Sequence, residues 1–158
     1  MGPASEKRLL QIAVGAACIV PVCAGAAGVA MGPALIGARL TLGADAAAVD
    51  LDSHLRYLSG LLLAIGIGFA ACVPMIEEKG GAFRLLGLLV VCGGLARLVA
   101  MVASGLPSRI MLYALGMELL VTPLLMIWQS RVERRFAAIS PRRGDAPHPL
   151  LGKRKAAR

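Results

Sequence analysis

Residues 85–103 read LLGLLVVCGGLARLVAMVA and residues 110–128 read IMLYALGMELLVTPLLMIW, two apolar runs joined by a turn that contains Gly105 and Pro107. Each run hides one charge, Arg97 in the first and Glu118 in the second. Arg97 lies eight positions before Gly105 and Glu118 nine positions after Arg109. At about 1.5 Å of rise per residue, both charges sit roughly 12 to 14 Å below the same turn. Antiparallel helices bring them level. A lone charge in hydrocarbon is costly and is tolerated when paired or facing protein, so the two are read as partners across a helical hairpin. Arg56, near the outer end of another apolar run, competes for the same carboxylate, and spacing alone leaves both pairings open.

The rest of the chain has the same character. Of 158 residues 58% are hydrophobic, with a mean hydropathy of +0.75, where soluble domains hold about 45–50% apolar residues. Four runs meet the length of roughly 17–25 apolar residues that a membrane span needs: 9–31, 57–76, 85–103 and 110–128. The sequence therefore predicts an all-α polytopic membrane protein, a four-helix transmembrane bundle over residues 1–130. A basic, disordered cytoplasmic tail is expected over 131–158. Aromatics are only 4% while glycine numbers 19, a bias toward small side chains that lets helices approach closely in lipid.

Charge sets the orientation. Lys7 and Arg8 precede the first run, Lys79 and Arg84 lie between the second and third, and nine basic residues from Arg131 to Arg158 follow the fourth. The opposite side holds Arg39, Arg56 and Arg109, with the acids Asp45, Asp50 and Asp52. Basic residues accumulate on the cytoplasmic side of short loops, so both termini are expected there. The net charge of +8 is read as attraction to an anionic inner leaflet and not as nucleic-acid binding. The first run also has the basic start and small Ala24-Gly25-Ala26 segment of a cleavable signal. Its continuation to Met31, with spacings Ala24 to Gly28 and Gly28 to Gly32, favours a retained helix with a packing face.

Cys18, Cys23, Cys72 and Cys92 lack the spacing of a redox or zinc motif and read as small packing residues. Asp50, Asp52 and His54 precede the second run. These are oxygen and nitrogen ligand types at short range, but the stronger reading is that Asp52 or Ser53 caps the helix and Tyr57 anchors at the interface. No metal and no cofactor are expected. Within the second run Gly60, Ala64 and Gly68 fall at four-residue intervals, one small stripe. In the third, Gly93, Arg97, Ala100 and Ser104 share a face. In the fourth, Glu118, Thr122 and Gln129 align, and Pro123 is expected to free the carbonyl of Leu119, with Thr122 near enough to satisfy it. Arg97, Glu118, Arg56 and Thr122 thus form the candidate polar centre within the membrane.

Asp52-Ser-His-Leu-Arg-Tyr-Leu-Ser-Gly60, Gly93-Gly-Leu-Ala-Arg97, Gly105-Leu-Pro107, and Glu118 with Pro123 together resemble the bacterial domain-of-unknown-function family 4345, small four-span membrane proteins. The resemblance runs from the first span through Trp128 and leaves out the basic tail. It implies a four-helix architecture and a bacterial inner-membrane location, and it brings no activity with it.

Two functional classes follow. The first is a non-enzymatic bundle, an accessory subunit or a holder of a lipid-like molecule, motivated by short loops and by the lack of any nucleophile, base and orienting group in a recognisable arrangement. The alternative is a small transporter or proton-linked component in which Glu118 titrates. Four spans are few for a pathway, so that reading requires a homo-oligomer or a larger membrane complex. A membrane enzyme ranks third, since His54 and His148 are the only histidines.

Overall fold

A computed structural model describes residues 2–36 and 46–139. Arg39 and Asp45, and the tail from Ser140 onward with its six basic residues and His148, lie outside the described residues. Helix α1 (Pro3–Met31) starts with a proline in its first turn, where the missing amide costs no hydrogen bond. A short 3₁₀ segment (Gly32–Ile36) follows. Helix α2 (Ala46–Cys72) leads through a 3₁₀ turn (Val73–Met75) to α3 (Gly80–Ser104). The last helix, α4 (Arg109–Ile139), is α-helical over Arg109–Gly116 and Thr122–Ile139, with a π-helical turn at Met117–Val121 between them.

All four helices are long and apolar enough to cross a membrane. All four are longer than their apolar runs. α2 begins at Ala46, so Asp50 lies inside a helix, as do Asp52 and Ser53, the expected N-cap residues, which therefore do not cap it. A polar, alanine-rich segment such as Ala46 to Arg56 continues a helix whenever its side chains find partners, whatever its hydropathy. At the other end of the chain α4 passes Trp128 and continues to Ile139, so residues 131–139 belong to the helix and not to the tail.

The helices alternate in direction and form a ring in which α1 meets α2 and α4, and α3 meets α2 and α4. Two glycines with positive φ stop helices where a β-carbon would be strained. Gly32 (φ 54°) ends α1, its N–H donating to the Gly28 carbonyl, and Gly105 (φ 95°) ends α3, donating to Met101.

Each hairpin is a close helix pair. Between α1 and α2 the contact residues are Gly25, Gly28 and Gly66: a β-carbon at Gly25 would lie 2.6 Å from the Leu63 amide nitrogen, and one at Gly66 2.8 Å from a Val22 methyl. The α2 surface that meets α1 is therefore Ser59, Leu63 and Gly66. The stripe Gly60, Ala64 and Gly68 is not one face in use, since Gly60 approaches Val29 of α1 while Gly68 abuts Leu86 of α3.

Between α3 and α4 the glycines recur every seven residues. Gly80 lies against Glu133, Gly87 against Met126, and Gly94 against Glu118 and Leu119. A repeat of seven with antiparallel partners is the seam of two helices supercoiled about each other, here with glycine where larger knobs usually sit. Gly93, expected on this face, has nothing within 4 Å of where its β-carbon would be, and its neighbour Gly94 takes the role.

The side-chain core gathers at one end. Leu10, Val14, Cys18, Cys72, Ile76, Phe83 and Val132 are buried together, with Phe69 edge-on to Phe83 at 5.0 Å between ring centroids. At that end Glu6 of α1 pairs with Arg131 and Arg135 of α4. The two described ends of the chain therefore lie on one side of the bundle.

Candidate functional site

Near the opposite end, Arg97 of α3 reaches across the seam to Glu118. Its Nε donates to Oε2 and its Nη2 to Oε1, both at 3.0 Å, so the guanidinium fork grips the whole carboxylate. Gly94, one turn before Arg97, brings the helices together at this level, where a β-carbon would fall 2.8 Å from that of Glu118. The third nitrogen, Nη1, points at the thioether sulfur of Met111, 2.9 Å away. The side chains remain 34% exposed for Arg97 and 19% for Glu118. Among the described residues no Cα of α1 or α2 comes within 8 Å of one in residues 109–121.

The carboxylate sits on the π-helical turn. Pro123 cannot donate a backbone hydrogen bond, and the chain upstream of it widens by one residue. The Thr122 hydroxyl, expected to serve the Leu119 carbonyl, serves another. The Met117 carbonyl accepts from the Thr122 N–H and also from the Thr122 hydroxyl at 3.0 Å. Thr122 thus secures the turn that carries Glu118, and its own proton is committed there.

Arg56 is elsewhere. Its Nε donates to both oxygens of Asp52, one turn earlier on α2, and its Nη1 donates to the carbonyls of Val29 (2.6 Å) and Ala30 (3.1 Å). Those carbonyls belong to the last turn of α1, where the helix leaves acceptors without partners and the dipole favours a cation. The competition for Glu118 left open by spacing is therefore settled by distance along a different hairpin. Asp52, Arg56 and Gly32 form one knot, in which a β-carbon at Gly32 would collide with the Asp52 carboxylate.

Residues 9–129 match the family described as Domain of unknown function (DUF4345). The chain belongs to that family. No curated protein and no solved structure matches it. In this DUF4345 chain the matched segment takes in both hairpins, Arg56, Arg97 and Glu118, and stops at Gln129.

The metal candidates do not converge. Successive positions on a helix turn by about 100°, so Asp52 projects away from Asp50 and His54, and it is held by Arg56. No group of three or more metal-ligating side chains occurs among the described residues.

What the sequence reasoning missed is a polar layer at the terminal end. Lys7 pairs with Glu77, Arg84 with Glu133, and Gln11 donates to the Val73 carbonyl at 2.8 Å. Gln129, fully buried, donates to the Ile76 carbonyl at 2.9 Å and to Glu133 at 3.3 Å. It aligns with Glu118 along one side of α4, yet the two serve different ends of the molecule. The available signal was opposite charge flanking the apolar runs, which names charges that can pair but not which ones do.

Proposed function

We propose that this DUF4345 protein is a non-catalytic, multi-pass bundle of the bacterial inner membrane, with both termini cytoplasmic, and that it acts as an accessory subunit or holds a lipid-like molecule through the exposed side of its Arg97–Glu118 pair. One observation carries the reading. A doubly hydrogen-bonded ion pair lies within an apolar helix pair, a third exposed at the arginine, and the α4 backbone that carries its glutamate is not approached by the backbone of α1 or α2 among the described residues. In hydrocarbon such a pair gains from a further polar group at its open side. A polar head on an apolar molecule, or a polar residue of a partner helix, meets that requirement.

Native mass spectrometry of the protein extracted gently from its own membrane tests this directly. A bound small molecule or second polypeptide present in the native protein and lost in Glu118→Gln is the expected result. A spectrum of bare protein, identical for native and variant chains that share one thermal profile, would overturn the proposal and leave the ion pair as a helix lock.

A further inference from the structure

One stripe of α4 changes character abruptly. Leu120, Leu124 and Ile127 lie on successive turns of one side of the helix, and each is about two-thirds exposed. The same line then continues into Arg131, Arg134 and Arg135. Around this boundary a shallow groove of about 540 Å³ is lined by Ile127, Ser130, Arg131, Arg134, Arg135 and Ala138. It lies at the opposite end of the bundle from Glu118, and its lining residues other than Ile127 lie beyond the segment that matches the family.

The arginines are not equivalent. Arg135 is held through its Nη1 by Glu6, and Arg131 through its Nε, at 3.3 Å from the other oxygen of the same carboxylate. Glu6 is itself buried, so α1 fixes the two guanidinium groups in place while leaving most of their N–H donors outward. Arg134 has no hydrogen bond or ion pair with any described residue. Ser130 contributes no proton, because its hydroxyl donates to the Met126 carbonyl at 2.9 Å. Three guanidinium groups against one carboxylate leave the groove two positive charges in excess, with donors already arranged for an anionic oxygen cluster.

We infer that this groove binds the phosphate headgroup of an anionic phospholipid, with an acyl chain along Ile127, Leu124 and Leu120. The apolar stripe argues for a lipid, since a free phosphate or a nucleic acid makes no use of three exposed aliphatic side chains running away from the charge. Holding Arg131 and Arg135 by Glu6 reduces the side-chain entropy lost on binding. Generic attraction to an anionic leaflet needs neither the fixed pair nor the aliphatic line. The site is independent of the Arg97–Glu118 reading.

The test uses the full chain in nanodiscs of phosphatidylcholine with a minor share of phosphatidylglycerol, followed by native mass spectrometry of retained lipid. Arg131→Gln/Arg134→Gln leaves the Glu6–Arg135 contact intact and is expected to lower phosphatidylglycerol retention roughly 20- to 30-fold, from about a fivefold factor for each basic group near an anionic surface. Arg109→Gln, at the far end, is expected to retain it. Equal retention of both lipids by the native protein, or undiminished retention by the double variant, would overturn the site. Full displacement by millimolar inorganic phosphate would overturn the lipid and make the groove a simple anion site. Arg131→Lys/Arg134→Lys, which keeps charge but loses the fork, is expected to restore part of the binding; no restoration, together with an altered thermal profile in both variants, would assign the loss to folding and overturn the inference.

Discussion

The two ends of this bundle are built on different principles. At the terminal end four helices meet, and Leu10, Val14, Ile76, Phe83 and Val132 fill the space between them under a layer of ion pairs. At the turn end the backbone of the first hairpin does not approach the first half of α4 among the described residues, and each hairpin carries its own polar pin. In the first, Arg56 ties Asp52 to the last carbonyls of α1; in the second, Arg97 grips Glu118. The contrast shows that contact between the hairpins is secured by apolar interlocking at one end only. Pairing within each hairpin is secured by glycine seams and one polar clamp.

The largest effect that separates the ends is expected from Phe83→Ala. It empties the centre of the four-helix end and is expected to cost about 3–5 kcal/mol, read as loss of unfolding free energy in detergent. Val102→Ala, a smaller truncation at an exposed turn-end position, is expected to stay within about 0.5 kcal/mol. Similar costs for the two would mean that the ends are not different in kind.

Next comes the clamp of the second hairpin. Glu118→Gln leaves Arg97 unpaired at membrane depth, at an expected cost of about 2–3 kcal/mol, and the exchange Arg97→Glu/Glu118→Arg is expected to recover more than half of it. An exchange as damaging as either single change would show that the position of each charge matters beyond their pairing.

A smaller and more discriminating pair of changes falls on adjacent glycines. Gly94→Ala forces a β-carbon against Glu118 and is expected to cost about 1–2 kcal/mol, whereas Gly93→Ala meets open space and is expected to stabilise by up to about 1 kcal/mol through helix propensity. Thermal unfolding of both variants reads the opposite signs. A slight loss of stability is expected from Arg56→Gln, because its contacts are partly exposed and water or headgroups can replace them. Crosslinking across the first hairpin near Val29 would register the loosening even where the melting temperature scarcely moves.

Hydropathy and length identify the four helices because the cost of an unsatisfied backbone in lipid acts on each segment separately. The pairing of Arg97 with Glu118 is legible for a related reason. Both were counted from one short turn, and helical rise converts position into depth without knowledge of any neighbour. The polar stretch before Tyr57 was less legible: whether Asp50 to Arg56 ends a loop or extends a helix depends on Arg56 finding acceptors on α1, which are 26 and 27 positions away.

The sequence by itself thus determined the number of helices, their small-residue packing and the depth of the buried charges, all of which follow from local composition and the fixed rise of a helix. Only the tertiary structure decided rotation and partnership: that Gly94 and not Gly93 faces α4, that Gly66 replaces the Gly60 stripe against α1, that Arg56 caps α1, and that Gln129 works at the opposite end from Glu118. The physical reason is that one residue turns a helix by about 100° at little local cost, so which face is buried is set by the helix packed against it.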